Sequence, residues 1–355
     1  MVEKYCVIMA GGSGQRFWPA SRKSLPKQLL SIEPDVTLVQ ATLARVPKEI
    51  GPDRTLIVTN ASQVEALRSQ VQLPAKNIIA EPVGRDTAPC IGLAAKVIAH
   101  RHPGAIMAVM AADHVISPTS AFQADMVRAM DFAAENNAIV TLGIKPTEAA
   151  TGYGYIQLGD ETEPSLHEVK AFQEKPDQKT AERFLEDGGY LWNSGIFIWP
   201  SARILKEIEA HLPRLAAGLE SMAPHIDTEE FASCLAETFP TLEKTSIDKG
   251  VVEHAKNRFC LKVSFEWDDV GSLAALARHN KQDQQGNTKL GSVVALNAKN
   301  CIADNRGDGV LALLGVEDLI VVRTGDAVLV AKRGQEEHVK DLVKKLEADG
   351  LSEFL

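Results

Sequence analysis

Apolar residues in the first half of the chain come in short continuous runs, separated by stretches where they recur at helical spacing. Continuous runs of this length suit strands buried on both faces, and a spacing of three and four suits amphipathic helices. Strands are expected at 6–10, 55–59, 77–80, 106–110 and 138–143, with helices at 38–45, 62–70, 88–100 and 121–136 between them. Such alternation predicts an α/β domain, a parallel sheet covered by helices. From about Gly152 the pattern loosens: GYGYIQLG, VKAFQEKP and SGIFIWP read as strands with tight turns, with helices at 179–186 and 201–212. Residues 211–240 read as mainly helical and polar, SIDKGVVEHA as a further helix, and 259–264 as a strand. After about Gln285 short β-branched runs recur at 293–296, 310–313, 319–322 and 327–331 without helices between them, followed by a helix at 336–347. Evenly spaced short strands of that kind predict a small β-solenoid. The polar segment KQDQQGN, near 280–286, divides a domain at 1–280 from one at 286–355.

Composition narrows the class. The chain has 355 residues, 45% hydrophobic and 24% charged, which suits a soluble protein of two domains. A net charge of -9 argues against a general nucleic-acid binder, which needs a basic face. Five scattered cysteines without a CxxC fit reduced thiols. No apolar run reaches membrane-spanning length, and the start of the chain is a strand entering a glycine loop rather than a signal core. A cytoplasmic protein with no membrane partner is expected.

The chemistry concentrates first in VIMAGGSGQRFWPASRKSLPKQ. The strand at 6–10 runs into Gly11, Gly12, Ser13 and Gly14, with Arg16 and Lys27 following in one loop. Glycines let backbone amides approach an anion closely, Arg16 can fork onto phosphate oxygens, and Lys27 supplies a mobile point charge. The segment is not a Walker loop, because Gln15 and Arg16 stand where Lys and Ser or Thr are needed, nor a dinucleotide fingerprint, because Phe17 replaces the third glycine. It is read as a polyphosphate site of another kind.

Asp113 lies just past a strand end in AADH, and Asp268 and Asp269 lie far downstream in WDDVG. Strand ends of α/β sheets gather ligands, and two carboxylates meeting there suit Mg²⁺, which takes few protein oxygens besides phosphate and water. Spacing alone does not choose between Asp268 and Asp269, and a cap or a solvated loop would also account for these acids. Glu174 and Lys175 follow a strand in QEKP, suited to sugar hydroxyls and a second phosphate, or to an exposed charged pair. Asn193 in LWNSGIF needs hydrogen-bond partners, and Gly152 and Gly154 in TGYGY let backbone approach a ligand or simply turn. Glu81, in EPVGRDTAPC, could accept the ring N–H and amino hydrogens of guanine, although a helix start capped by Thr87 also fits the segment. No Ser–His–Asp arrangement, zinc spacing or redox motif is present in the sequence.

GGSGQRFWPASRKSLPKQ, EPVGRDTAPCIGLAA, AADHVI, TGYGYI, FQEKPD, WNSGIFIW, SIDKGVVE and WDDVGS occur in this order. Over residues 5–275 the chain resembles the bacterial mannose-1-phosphate guanylyltransferases of the sugar nucleotidyltransferase superfamily. The resemblance implies a Rossmann-like nucleotidyltransferase domain with a mixed, mainly parallel sheet, and a tail like the short left-handed β-helix of single-function members. It implies GTP and mannose 1-phosphate as substrates and Mg²⁺ as cofactor. Gly11, Gly12, Ser13, Gly14 and Arg16 would hold the triphosphate and Lys27 the reacting phosphates, with Asp113 and Asp269 on the metal. Glu81, Arg85 and Thr87 would frame guanine. Gly152, Glu174, Asn193 and Asp248 would line the sugar, with Lys175 on its phosphate. Two departures stand out: Asp86 where the family commonly has Asn, and Ala111 where it has Pro. The β-rich tail and terminal helix suit a homodimer.

Overall fold

The computed structural model describes residues 2–12, 14–33 and 36–355. Nine strands form its main sheet: β1 (Lys4–Met9), β2 (Thr55–Asn60), β3 (Ile78–Glu81), β4 (Ile106–Ala111), β5 (Ile139–Ile144), β6 (Tyr155–Glu163), β7 (Leu166–Gln173), β8 (Tyr190–Pro200) and β9 (Arg258–Lys262). They lie in the order β3-β2-β1-β4-β8-β5-β9-β7-β6. The sheet is mixed: β1 to β4 pair parallel, as do β5 and β9, whereas β7 and β8 run antiparallel to their neighbours. The third strand starts at Ile78 rather than Asn77, whose side-chain amide is spent on the Pro52 and Asp53 carbonyls at 3.0 Å each.

Helices cover both faces. One face packs under helix α1 (Thr87–Arg101) and helix α3 (Ser201–His211), the other under helix α2 (Thr119–Asn136), each sealing its own apolar cluster. The segment SIDKGVVEHA departs from the expected helix. It makes only a π-helical turn, Asp248–Val252, whose start is tied down when the Ile247 N–H donates to Thr87 Oγ1 at 2.8 Å.

The tail coils. Strands β10 (Thr288–Leu290), β12 (Ile302–Asn305) and β14 (Leu319–Arg323) stack in parallel. Strands β11 (Val293–Leu296) and β13 (Leu311–Leu314) form a second parallel face, and β15 (Val328–Lys332) closes the first face antiparallel to β14. Asn297, Asn300 and Asp318 turn corners at φ of 53° to 55°, a region these side chains tolerate. Helix α4 (Val339–Ala348) follows a 3₁₀ turn, so the expected helix at 336–347 begins later than predicted. The tail packs closely on the main domain. Phe17, Trp18, Leu30 and Ile32 share one core with Leu276, Ile302, Ile320, Val322, Val339 and Val343.

Candidate active site

The carboxyl ends of β1, β3 and β4 deliver the first groups. After β1 the chain turns through Gly11, Gly12 and Gly14, while Ser13 lies outside the described residues. The Ala10 carbonyl accepts from Gln28 Nε2 and Thr59 Oγ1, and the Gly12 carbonyl from Gln63 Nε2 at 3.4 Å. Their carbonyls are thus held away, and the Gly11 and Gly12 amides have no acceptor among the described residues. Free amides beside a helical turn are what an anion needs. Gly14 adopts φ 60°, and a Cβ there would lie 2.6 Å from Lys27 Cβ, so only glycine lets Lys27 pass behind the loop.

Lys27 is the hinge of the site. Its residue is only 6% exposed, and its ammonium donates to Asp113 Oδ2 at 2.8 Å and to the Asp269 carbonyl at 2.9 Å. Burial pushes the Asp113 carboxyl up, but the charge and hydrogen bond of Lys27, the neighbouring His114 and a backbone hydrogen bond together outweigh this and hold it below the ordinary range. The two distant acids meet through a ladder that sequence periodicity does not announce. Val115–Ser117, just past Asp113, pairs antiparallel with Glu266–Asp268, just before Asp269.

The same ladder separates the neighbouring acids. Asp268 is used up by Arg278, at 2.6 and 2.7 Å, and by His279 at 2.7 Å. Burial opposes its ionisation, but hydrogen bonds from His279 and Arg278 win and hold it far below the usual range. Asp269 instead faces the cleft, its Oδ1 accepting from Tyr153 Oη at 3.0 Å and from the Gly271 N–H at 3.1 Å. Of the two neighbouring acids, Asp269 therefore lines the cleft while Asp268 is engaged beside it. Gly14, Arg16, Lys27, Asp113, His114, Asp269 and Gly271 line this cleft of about 400 Å³. Arg16 lies at its rim, paired through Nε with Glu337 Oε2 at 2.8 Å.

Beside the glycine loop Glu81 is buried at the end of β3, and its Oε2 would stand 3.4 Å from a Cβ on Gly11. Burial raises its carboxyl to about 7, and both Glu81 Oε1 and Arg85 Nε are buried without a hydrogen-bond partner among the described residues. Thr87 does not cap helix α1. Asp86 does, at φ 70°, accepting from the Thr87 N–H at 2.8 Å, while the Thr87 hydroxyl receives Ile247 N–H. Thr87 therefore tethers the Asp248 turn, a structural duty alongside any contact to a base.

A third cluster forms where β8 bulges between Asn193 and Phe197. Asn193 Nδ2 donates to Asp248 Oδ1 at 2.9 Å, and its Oδ1 accepts from Gly195 N–H at 3.1 Å. Burial, aided by the charge of Glu174, lifts Asp248 to about 6. Glu174 Oε1 pairs with Lys175 Nζ at 2.7 Å, Lys175 standing at φ 44° with a largely exposed side chain. Gly154 matters here, since a Cβ would lie 2.7 Å from Glu174 Oε2; Gly152 faces open space.

Tyr153 joins the two clusters. Its hydroxyl holds Asp269, and its ring packs on Trp192 and Trp267 at 4.9 and 5.3 Å. Trp267 Nε1 in turn donates to His114 Nδ1 at 3.1 Å. Burial depresses the His114 pKa, and an imidazole accepting at Nδ1 is neutral there. Sequence reasoning misses Tyr153 and His114; their only signal is adjacency to Gly152 and Asp113. The oxygen-only donor set of Asp113 and Asp269 fits a hard divalent cation completed by phosphate and water, and no cluster of three or more acidic, His or Cys ligands exists among the described residues.

Residues 5–286 match the family described as nucleotidyl transferase, and residues 291–346 match the MannoseP isomerase/GMP-like beta-helix domain. The chain belongs to the nucleotidyl transferase family. Mannose-1-phosphate guanylyltransferase ManC of Salmonella typhimurium is 37% identical over 98% of this chain and 74% of its own length. Mannose-1-phosphate guanylyltransferase of Escherichia coli K12 is 36% identical over the same shares. A crystal structure from Thermus thermophilus, under the name mannose-1-phosphate geranyltransferase, superposes with a TM-score of 0.87 at 34% identity, covering 98% of this chain and all of that one.

Proposed function

We propose that the protein transfers GMP from GTP to α-D-mannose 1-phosphate, giving GDP-mannose and pyrophosphate. The observation that carries this is Lys27, which binds Asp113 and the Asp269 carbonyl behind a glycine loop with free amides. In the reaction a phosphate oxygen of the sugar phosphate attacks the α-phosphorus in line. A new P–O bond forms, and the bond to the β-phosphate bridging oxygen breaks, its electron pair leaving with pyrophosphate. The nucleophile is already anionic at neutral pH, so the chain supplies alignment and charge rather than a base.

The glycine amides, Arg16 and Lys27 hold the triphosphate. Glu81 and Arg85, with unspent polar atoms, face the base, and Thr87 fixes the edge of that pocket. Glu174, Asn193 and Asp248 accept or donate to sugar hydroxyls beside the Gly152 turn, and Lys175 exchanges Glu174 for the sugar phosphate. Asp113 and Asp269 would hold Mg²⁺, which when bound neutralises phosphate charge. No helix among the described residues is long and apolar enough to cross a membrane, and the reading places the enzyme in the cytoplasm with its soluble substrates. The exposed Val294, Leu296 and Leu314 on the outer face of the tail support a homodimer, which sedimentation tests.

The direct test is pyrophosphate release by purified protein with Mg²⁺, crossing five nucleoside triphosphates with mannose, glucose and N-acetylglucosamine 1-phosphates. GTP with mannose 1-phosphate is expected to dominate despite Asp86. A maximum at another pair would keep the chemistry and overturn the substrate. Silence from folded protein that binds GTP would point to a non-catalytic binder.

A further inference from the structure

The tail reaches the triphosphate cleft. Turn 336–338 and helix α4 pack on the 3₁₀ turn Gln15–Phe17, with Val339 and Val343 buried in the core that contains Phe17. This leaves Glu337 and Lys340, three residues apart, on the side facing the glycine loop. Glu337 holds Arg16, and Lys340 lines the cleft together with Arg16, Lys27, Asp113 and Asp269.

The cations of the cleft are differently engaged. Lys27 already serves Asp113 and a carbonyl, and Arg16 already serves Glu337. Lys340 has no hydrogen bond or ion pair among the described residues. On its own helix Asp341 feels the Lys340 charge but makes its ion pair with Lys344, at 3.1 Å, so Lys340 is left without a direct partner there. A half-buried lysine lining the cleft, with the cleft's acids engaged elsewhere and no ion pair of its own, is poised for an anionic ligand. The far end of a triphosphate is what that position meets, since Lys27 and the two acids occupy the inner end.

We propose that Lys340 binds the β- and γ-phosphates of the incoming nucleotide and the departing pyrophosphate, while Glu337 is a carboxylate that the triphosphate displaces from Arg16. The inference rests on the proposed nucleotidyl transfer and adds to it a contribution from the tail. When the bond at the α-phosphorus breaks, negative charge accumulates on the pyrophosphate oxygens, and a cation reserved for that end stabilises them more than it stabilises the nucleoside monophosphate. The prediction is selectivity between ligands, which a role in folding alone would not produce.

The experiment is calorimetric titration of wild type, Lys340→Gln, Lys340→Arg and Glu337→Gln with GTP and with GMP, in Mg²⁺ without sugar phosphate. Thermal melts establish folding, and the KM for pyrophosphate is measured in the reverse reaction with GDP-mannose. Lys340→Gln is expected to weaken GTP and raise the pyrophosphate KM about tenfold, leaving GMP within twofold, and Lys340→Arg should restore most of the loss. Glu337→Gln is expected to tighten GTP two- to threefold. GTP and pyrophosphate values within twofold of wild type for folded Lys340→Gln, or equal losses for GTP and GMP, overturn the role of Lys340. Weaker GTP binding by Glu337→Gln overturns the displacement. A wild type that neither binds GTP nor releases pyrophosphate overturns the proposed function itself, whereas an active wild type with an indifferent Lys340→Gln overturns this inference alone.

Discussion

The two ends of the site handle charge in opposite ways. At the phosphate end each acid that matters has an opposite charge or a donor against it: Asp113 has Lys27, Asp268 has Arg278 and His279, and Asp269 has Tyr153. Their carboxyls are held ionised where a shift is resolved. At the sugar end Glu174 and Asp248 crowd together, and Asp248 is lifted to about 6 by burial and by that neighbour. The first end is built of pairs that an incoming phosphate must exchange. The second sets two carboxylates near each other, Asp248 held by Asn193 and Glu174 by Lys175. On the proposed reading, substrate displaces the Arg16–Glu337 pair at the phosphate end and only the exposed Lys175–Glu174 pair at the sugar end.

Removing the phosphate-end acids should have the largest effect. Asp113→Ala and Asp269→Ala are each expected to cut kcat by a factor on the order of 10² or more, because charge neutralisation at the phosphates is lost while the fold persists. Initial rates at saturating Mg²⁺, with circular dichroism as the control, decide it; near-normal turnover in both would sink the assignment. Asp268→Asn separates the adjacent acids. It should cost about 1–3 kcal/mol of stability through the orphaned Arg278 and His279, and more stability than Asp269→Asn, as denaturant midpoints would show.

At the sugar end the expected effects are smaller and depend on pH. Asp248→Asn should raise the KM for mannose 1-phosphate about tenfold or more while stabilising the fold above pH 6. A carboxyl with a folded pKa near 6, above its unfolded value near 4, binds more protons when folded, so wild-type stability falls as pH rises through that window. The stability gain of the Asn variant should thus be absent below pH 4 and reach about 2–3 kcal/mol at pH 8. Its absence at every pH would remove the contrast between the two ends. The smallest change is expected from Lys175→Ala, which should raise only the KM for sugar phosphate, by several-fold, with melting unchanged. A rise confined to the GTP KM would place Lys175 at the wrong end.

The parallel half of the sheet is legible in the sequence because β1, β2 and β4 are buried on both faces and read as continuous apolar runs. The glycine loop, Lys27 and Asp113 can be placed for the same reason, since they follow those runs closely. The pairing of Val115–Ser117 with Glu266–Asp268 cannot, being three residues long and joining segments far apart in the chain. Neither can the exchange of roles between Asp86 and Thr87, which depends on Ile247 arriving from another segment. Arg16 is legible as a cation behind the glycine loop, but its present partner Glu337 lies in the tail, where no local pattern announces it.

The core shared by Phe17, Trp18 and Leu30 with Ile302, Ile320 and Val322 bears on how such chains can be recombined. Trp18 Nε1 also donates to the Phe354 carbonyl at 2.8 Å, and Arg22 reaches Asp326 at 2.7 Å. A chimera cut at the polar segment near Gln285 would therefore join halves whose loop and tail had never been matched to each other. Transplanting the tail would require residues 16–32 to travel with it. The genetic unit of exchange is then the loop and coil together, although they stand at opposite ends of the chain.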